Sequence, residues 1–231
     1  MTEAALQAVV ISGGVAHDFT SSSAALLELL NQVGVTGHVR EDVDVSLAGL
    51  PGRRPDLVVL NLLRWTMQVD RYAALRDEWS ISLSAAARAG LTEYLQAGGG
   101  LLAMHGASIC FDDWPQWKAL LGGVWRWETS FHPRLAGPVR ISVAASDHPI
   151  VAGVPDFDIV DEVYGFLDRA PDVAGLMSGK HSGAAHPLLW ARQVGSGRVV
   201  YDALGHDARS YEVPEHRRLV QRAALWAAGV I

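Results

Sequence analysis

Nine histidines are spread along the 231 residues, and several stand where an apolar run breaks into a turn. His105 closes Leu101-Leu102-Ala103-Met104 and is followed by Gly106-Ala107. An imidazole titrates near neutral pH, so it can take or give a proton, and its neutral nitrogen can ligate a metal. His17-Asp18 follow a first apolar run, and His206-Asp207 follow Leu204-Gly205. In Asp161-Glu162-Val163-Tyr164, strand alternation puts Glu162 and Tyr164 on one face, offering a carboxylate and a phenol. His132 precedes Pro133 after a tryptophan-rich stretch holding Trp125 and Trp127, whose indoles can stack on a ring. Two or three imidazoles with one carboxylate suit zinc or another divalent first-row ion, with His105, His132 and His206 as candidate ligands. The same groups also serve proton transfer beside a carbonyl without any metal, and no His-Glu-x-x-His spacing decides between them.

Such residues act together only if the fold delivers them to one place. Residues 7–12 (QAVVIS), ended by Gly13-Gly14, read as a buried parallel strand, and Ser21-Ser22-Ser23 can cap a helix over 24–32. Strands are expected at 36–40, 56–60 and 101–105, with a helix ending at Gln96 before the last of these. Residues 62–81 read as a long irregular excursion, the kind of loop that carries function. A short helix follows near 114–121. Short strands are then expected at 124–131, 139–144, 159–166, 173–178, 188–194 and 198–204, and a last helix at 214–228. This is an α/β chain with a β-rich C-terminal half, read as one domain over 1–231. In an open parallel sheet, ligands collect outside the carboxyl ends of the strands, which is where His17, His105 and His206 fall.

Ala103-Met104-His105-Gly106-Ala107 occupies the place where class I glutamine amidotransferases carry Gly-x-Cys-x-Gly. A histidine there cannot form the thioester of glutamine hydrolysis, so no glutaminase activity is expected. Further pieces are Ser12-Gly13-Gly14 with His17-Asp18, Leu121-Gly122-Gly123 leading to His132-Pro133, and Asp147-His148-Pro149-Ile150. Asp161-Glu162-Val163-Tyr164 and Gly197-Arg198-Val199-Val200-Tyr201 through Leu204-Gly205-His206-Asp207 complete the set. In this order and spacing the chain resembles the ThuA family, named for trehalose utilisation. The resemblance implies a flavodoxin-like, class I glutamine amidotransferase-like three-layer sandwich around a mostly parallel sheet. It also implies carbohydrate catabolism, often beside a sugar oxidoreductase that produces keto-sugars. On that basis His105, His206, Glu162 and His17 are expected to act on an oxidised sugar or disaccharide. Asp18, His132, Tyr164, Asp207, Trp125 and Trp127 are expected to bind it. A non-catalytic sugar-binding or protein-docking module on the same fold is the alternative.

Composition narrows the partners. With a net charge of -6 and no basic block, nucleic acid is not an expected partner. No apolar run is long enough to span a membrane, and Met1–Leu6 lack a basic n-region, so the cytoplasm is the expected compartment. The triplet Gly98-Gly99-Gly100 precedes a strand instead of following one, and Gly13-Gly14 lack a third glycine, so no bound dinucleotide is expected. Cys110, the one cysteine, reads as a packing residue. His38, His148, His181, His186 and His216 read as turn or surface residues. Eight tryptophans allow a homodimer, and Trp114 is a further stacking candidate.

Overall fold

A computed structural model describes residues 5–231; residues 1–4 of the acidic N-terminus lie outside the described residues. The chain opens with strand β1 (Leu6–Gly14), helix α1 (Phe19–Asn31), β2 (Val35–Arg40), α2 (Val43–Ala48), α3 (Leu50–Arg53) and β3 (Leu57–Leu63). Helices α4 (Ala73–Trp79) and α5 (Ala85–Gln96) lead to β4 (Gly100–Met104), and α6 (Gln116–Leu121) follows. Strands β5 (Gly123–Val124), β6 (Val139–Val143), β7 (Phe157–Ile159), β8 (Asp168–Arg169), β9 (Met177–His181), β10 (Ala184–Val194) and β11 (Gly197–Asp202) precede α7 (Pro214–Ala227).

Nine strands form one sheet in the order β2-β1-β3-β4-β11-β10-β9-β6-β7. From β2 to β11 every pairing is parallel, and from β11 to β7 every pairing is antiparallel. The parallel half explains the sequence pattern. Every residue of β3 (LVVLNLL) and β4 (GLLAM) is buried, because helices cover both faces and water reaches neither. Asn61, the polar exception in β3, donates its amide to Ser22 Oγ at 3.0 Å and Ser23 Oγ at 2.9 Å, tying the strand to α1. This is the flavodoxin-like, amidotransferase-like class, with the antiparallel extension as its β-rich half.

Several local expectations are corrected. The strand expected at 124–131 stops at Val124, because residues 126–130 close a turn in which Ser130 N donates to Arg126 O and Arg126 N to Ser130 Oγ. The strand expected at 159–166 stops at Ile159. Asp161 draws the Glu162 N–H to its own carboxylate at 2.7 Å, a side-chain bond that competes with a ladder. The excursion after β3 is not structureless: it carries α4 and a 3-10 turn at Asp70–Tyr72. His186, at 5% exposure, and His216, at 0%, are buried rather than superficial. Among the described residues no helix is long and apolar enough to cross a membrane.

Candidate active site

His105 sits one residue past β4, where the chain enters a 3-10 turn, and its φ of +36° lies in the left-handed region. A non-glycine residue seldom adopts that backbone, and such outliers concentrate at functional sites. Here the turn resembles the elbow that exposes nucleophiles at strand ends. Gly106 is required beside it, since a Cβ would meet Leu62 O at 2.8 Å. Tyr201 Oη, from the adjacent β11, donates to His105 O at 2.8 Å and holds the turn. The His105 ring is buried, and its Nδ1–H donates to Ala203 O at 2.7 Å, which leaves Nε2 to face the cluster.

That Nε2 faces three groups. His17, beyond β1, brings its Nε2 to 3.1 Å, while its own Nδ1–H donates to Val15 O at 3.2 Å. The Tyr164 hydroxyl donates to His105 Nε2 at 3.0 Å, and Glu162 Oε2 lies 3.4 Å away. His206, beyond β11, places Nδ1 3.3 Å from the same Glu162 oxygen, yet this buried nitrogen makes no hydrogen bond. His132 Nδ1 reaches the other oxygen, Glu162 Oε1, at 3.2 Å, with its side chain about 37% exposed.

Electrostatics follow from these contacts. Burial and the neighbouring His105 push His17 down to about 4, so it is neutral at pH 7. Burial alone would raise Glu162, but the rings of His105 and His206 hold it well below the usual carboxylate range. Glu162 in turn raises His206 against the effect of burial. An ionised carboxylate thus stands among imidazoles in a site shielded from water.

A cleft of about 550 Å³ opens over this cluster. Its floor includes His17, Glu162, Tyr164 and His206, with His132 at the flank. Aromatic rings make the rim: Trp127 lies 5.4 Å from Trp65, 5.6 Å from Tyr72 and 6.0 Å from Trp125 between centroids. Arg71 covers Tyr72 at 4.7 Å and Trp127 at 5.5 Å. The segment 62–81 therefore supplies half of the rim.

Of the ten residues singled out from the sequence, eight meet here: His17, His105, Glu162, His206, His132, Tyr164, Trp125 and Trp127. Asp18 and Asp207 do not. Asp18 caps α1, accepting from Ser21 N at 3.0 Å, and lines a neighbouring hollow. Asp207 caps the following turn and pairs with Arg209, as a helix-entry acid does. Trp114 is buried and stacks on Trp117 instead of facing the cleft.

Sequence reading missed Trp65, Arg71 and Tyr72, which lie in a segment without period, and it missed Asp161. Asp161 is buried and does not itself line the cleft. Its carboxylate accepts from Glu162 N at 2.7 Å, Gly205 N at 2.8 Å and His206 N at 3.3 Å, and also from Ser210 Oγ. It thereby positions two members of the cluster, and its place beside Glu162 was the only signal. Gly205, at φ +105°, makes the turn that lets His206 reach the cluster, and its Cβ would strike Tyr211 Oη at 2.7 Å. Asp161→Asn exchanges one acceptor oxygen for an amide that faces backbone N–H groups. We expect kcat to fall about 10–100-fold with KM little changed, as for groups that orient a catalytic residue. A rise in KM with kcat unchanged would refute that role.

A mostly parallel α/β sheet with a histidine in left-handed backbone at the strand-end elbow defines a protein of the amidotransferase-like fold class that presents an imidazole there. Residues 7–227 match the family model for ThuA, described as trehalose utilisation, and the chain belongs to that family. Membership links it to carbohydrate use at the level of the family. A ThuA-like protein from Parabacteroides merdae superposes with a TM-score of 0.77 at 19% identity, over 96% of this chain and 90% of that one. Another from Bacteroides uniformis gives 0.71 at 18%, over 98% and 93%. A β-galactosidase from Bacillus circulans shares the fold over 97% of this chain but 30% of its own length, with a TM-score of 0.57 at 14% identity. Among curated proteins none matches.

Proposed function

We propose that this protein is an enzyme acting on an oxidised (keto) sugar or disaccharide, moving a proton at the carbon beside the carbonyl and so isomerising or cleaving the sugar. The observation that carries this reading is the convergence of His17, His206 and the ionised Glu162 on the floor of an aromatic-rimmed cleft, with the buried His105 packed against them, all four from separate segments. A sugar ring presents a C–H face that stacks on an indole, while its hydroxyls need polar partners. The carbonyl oxygen goes to His206, which Glu162 biases toward its proton-donating form, and the pull on that oxygen acidifies the neighbouring C–H. Glu162 takes up the carbon-bound proton and shares it with His105 Nε2, 3.4 Å away, while His132 and Tyr164 hold the sugar. Glutaminase chemistry has no nucleophile: Cys110 is buried, and burial pushes its thiol up to about 12.

Incubation with keto-disaccharides in deuterated water, followed by NMR, tests the proposal through the carbon-bound proton even where the net equilibrium is unfavourable. Exchange at the carbon beside the carbonyl is the expected result. A folded protein that exchanges and converts none of them is no such enzyme, and a binding module takes its place. Trp127→Ala should raise KM about tenfold while sparing kcat, since a stacking contact of about 1.4 kcal/mol is made equally to substrate and transition state.

A further inference from the structure

We infer that His17, His105, Glu162 and His206 form a binding site for one divalent first-row cation, zinc being the ion their spacing suits. The argument begins with tautomers. A backbone carbonyl only accepts, so Val15 O and Ala203 O fix the proton of both His17 and His105 on Nδ1. The two Nε2 atoms then face each other at 3.1 Å, and in the neutral rings each presents a lone pair. Glu162 Oε2, another acceptor, stands 3.4 Å from one of them, and the buried His206 Nδ1 lies 3.3 Å from that oxygen without a hydrogen bond. The Tyr164 hydroxyl gives its single proton to His105 Nε2, which leaves the other acceptors unserved. Converging lone pairs out of water repel one another unless a cation lies between them.

Distances agree. A tetrahedral ion with bonds of about 2.0–2.1 Å separates its ligand atoms by about 3.3–3.4 Å. The contacts along the chain of donors are 3.1, 3.4 and 3.3 Å, and all four donor atoms lie within 4.8 Å of one another. The Nδ1–H to carbonyl bonds of His17 and His105 are the outer-shell contacts that fix a ligating imidazole. Asp161 does the same for the backbone of Glu162 and His206. His132, a ligand candidate from sequence, meets the four-residue set only at the far oxygen of Glu162 and falls outside it; His17 takes its place. Any part the ion plays in turnover, as the electrophile toward the carbonyl oxygen, rests on the keto-sugar reading; the site itself does not.

The test uses the full chain, stripped with a chelator and titrated with Zn²⁺ by calorimetry, with Co²⁺ as a visible-absorption probe of tetrahedral binding. One equivalent per chain is expected, with a rise in Tm on loading. Glu162→Gln and His17→Ala should each weaken affinity by about a hundredfold or more, a loss at least as large as for outer-shell partners. His132→Ala should bind as wild type does. No uptake by the stripped, folded wild type, or undiminished affinity in both Glu162→Gln and His17→Ala, overturns the site. Uptake without any keto-sugar exchange removes the proposed reaction and leaves the site standing. Exchange that survives the chelator in a protein that takes up no ion does the reverse.

Discussion

His105→Asn is expected to lower kcat/KM for a keto-sugar by about 10³–10⁴-fold, the upper part of the range for a positioned acid, base or ligand. Asparagine is the informative substitution. It tolerates the left-handed backbone that His105 adopts at φ +36°, whereas most residues would add strain to the loss of the ring. A stable His105→Asn protein therefore separates chemistry from folding. The effect should be large because one buried nitrogen contacts His17, Glu162 and Tyr164 together, so removing it detaches three partners. Circular dichroism and Tm within a few degrees of wild type would establish that the fold survives. Turnover within tenfold of wild type in such a protein would remove His105 from the chemistry.

The second large effect concerns stability. His216, on α7, is fully buried; its Nδ1 lies 2.9 Å from Ser210 O and its Nε2 3.1 Å from Asp202 Oδ2. Both neighbours accept, so both ring nitrogens must donate, and the ring is an imidazolium beside a carboxylate. Burial opposes that charge, but attraction to Asp202 and the hydrogen bonds outweigh it and raise the His216 pKa. His216→Ala leaves Asp202 buried and unpaired, which costs about 3–5 kcal/mol. At about 2–4 °C per kcal/mol for a chain of this length, Tm should drop by about 6–20 °C.

The pH dependence has a definite sign. The folded pKa lies above the unfolded value of about 6.5, so the folded state binds the proton more tightly. The stabilisation is complete below about pH 6.5 and fades as pH rises through the raised folded value. Denaturant unfolding of wild type and His216→Ala across that range should give a gap that narrows toward alkaline pH. A gap that widens would mean the ring is buried neutral. Activity should fall too, because Asp202 Oδ1 also accepts from Leu204 N, next to the Ala203 carbonyl that orients His105.

Much of the parallel half was legible from the sequence. Within the expected strands 56–60 and 101–105, residues 57–60 and 101–104 are apolar throughout because both faces are covered, and that pattern needs no knowledge of the neighbours. The rule that ligands gather at carboxyl ends of strands placed His17, His105 and His206 on one edge, and they meet there, with His17–His105 centroids 5.0 Å apart and His17–His206 4.6 Å. Glu162 and Tyr164 also reach the cluster, but not by strand alternation. They lie in irregular chain whose shape Asp161 sets through contacts 44 to 49 residues away, and no local period encodes those. Asp18 and Asp207 show the converse: acids beside histidines in sequence were claimed by backbone N–H groups a few residues on.

The amino-acid sequence by itself determined the class of fold, the elbow with its imidazole and the set of side chains able to act there, because strand burial, turn chemistry and residue type are local properties. Only the tertiary structure decided which of those groups share one site, which nitrogen of each ring meets a backbone carbonyl, that the aperiodic 62–81 segment builds half of the cleft's aromatic rim, and that His216 lies buried against Asp202. Each of those outcomes depends on distance and burial between residues far apart in the chain, and a linear pattern carries no term for either.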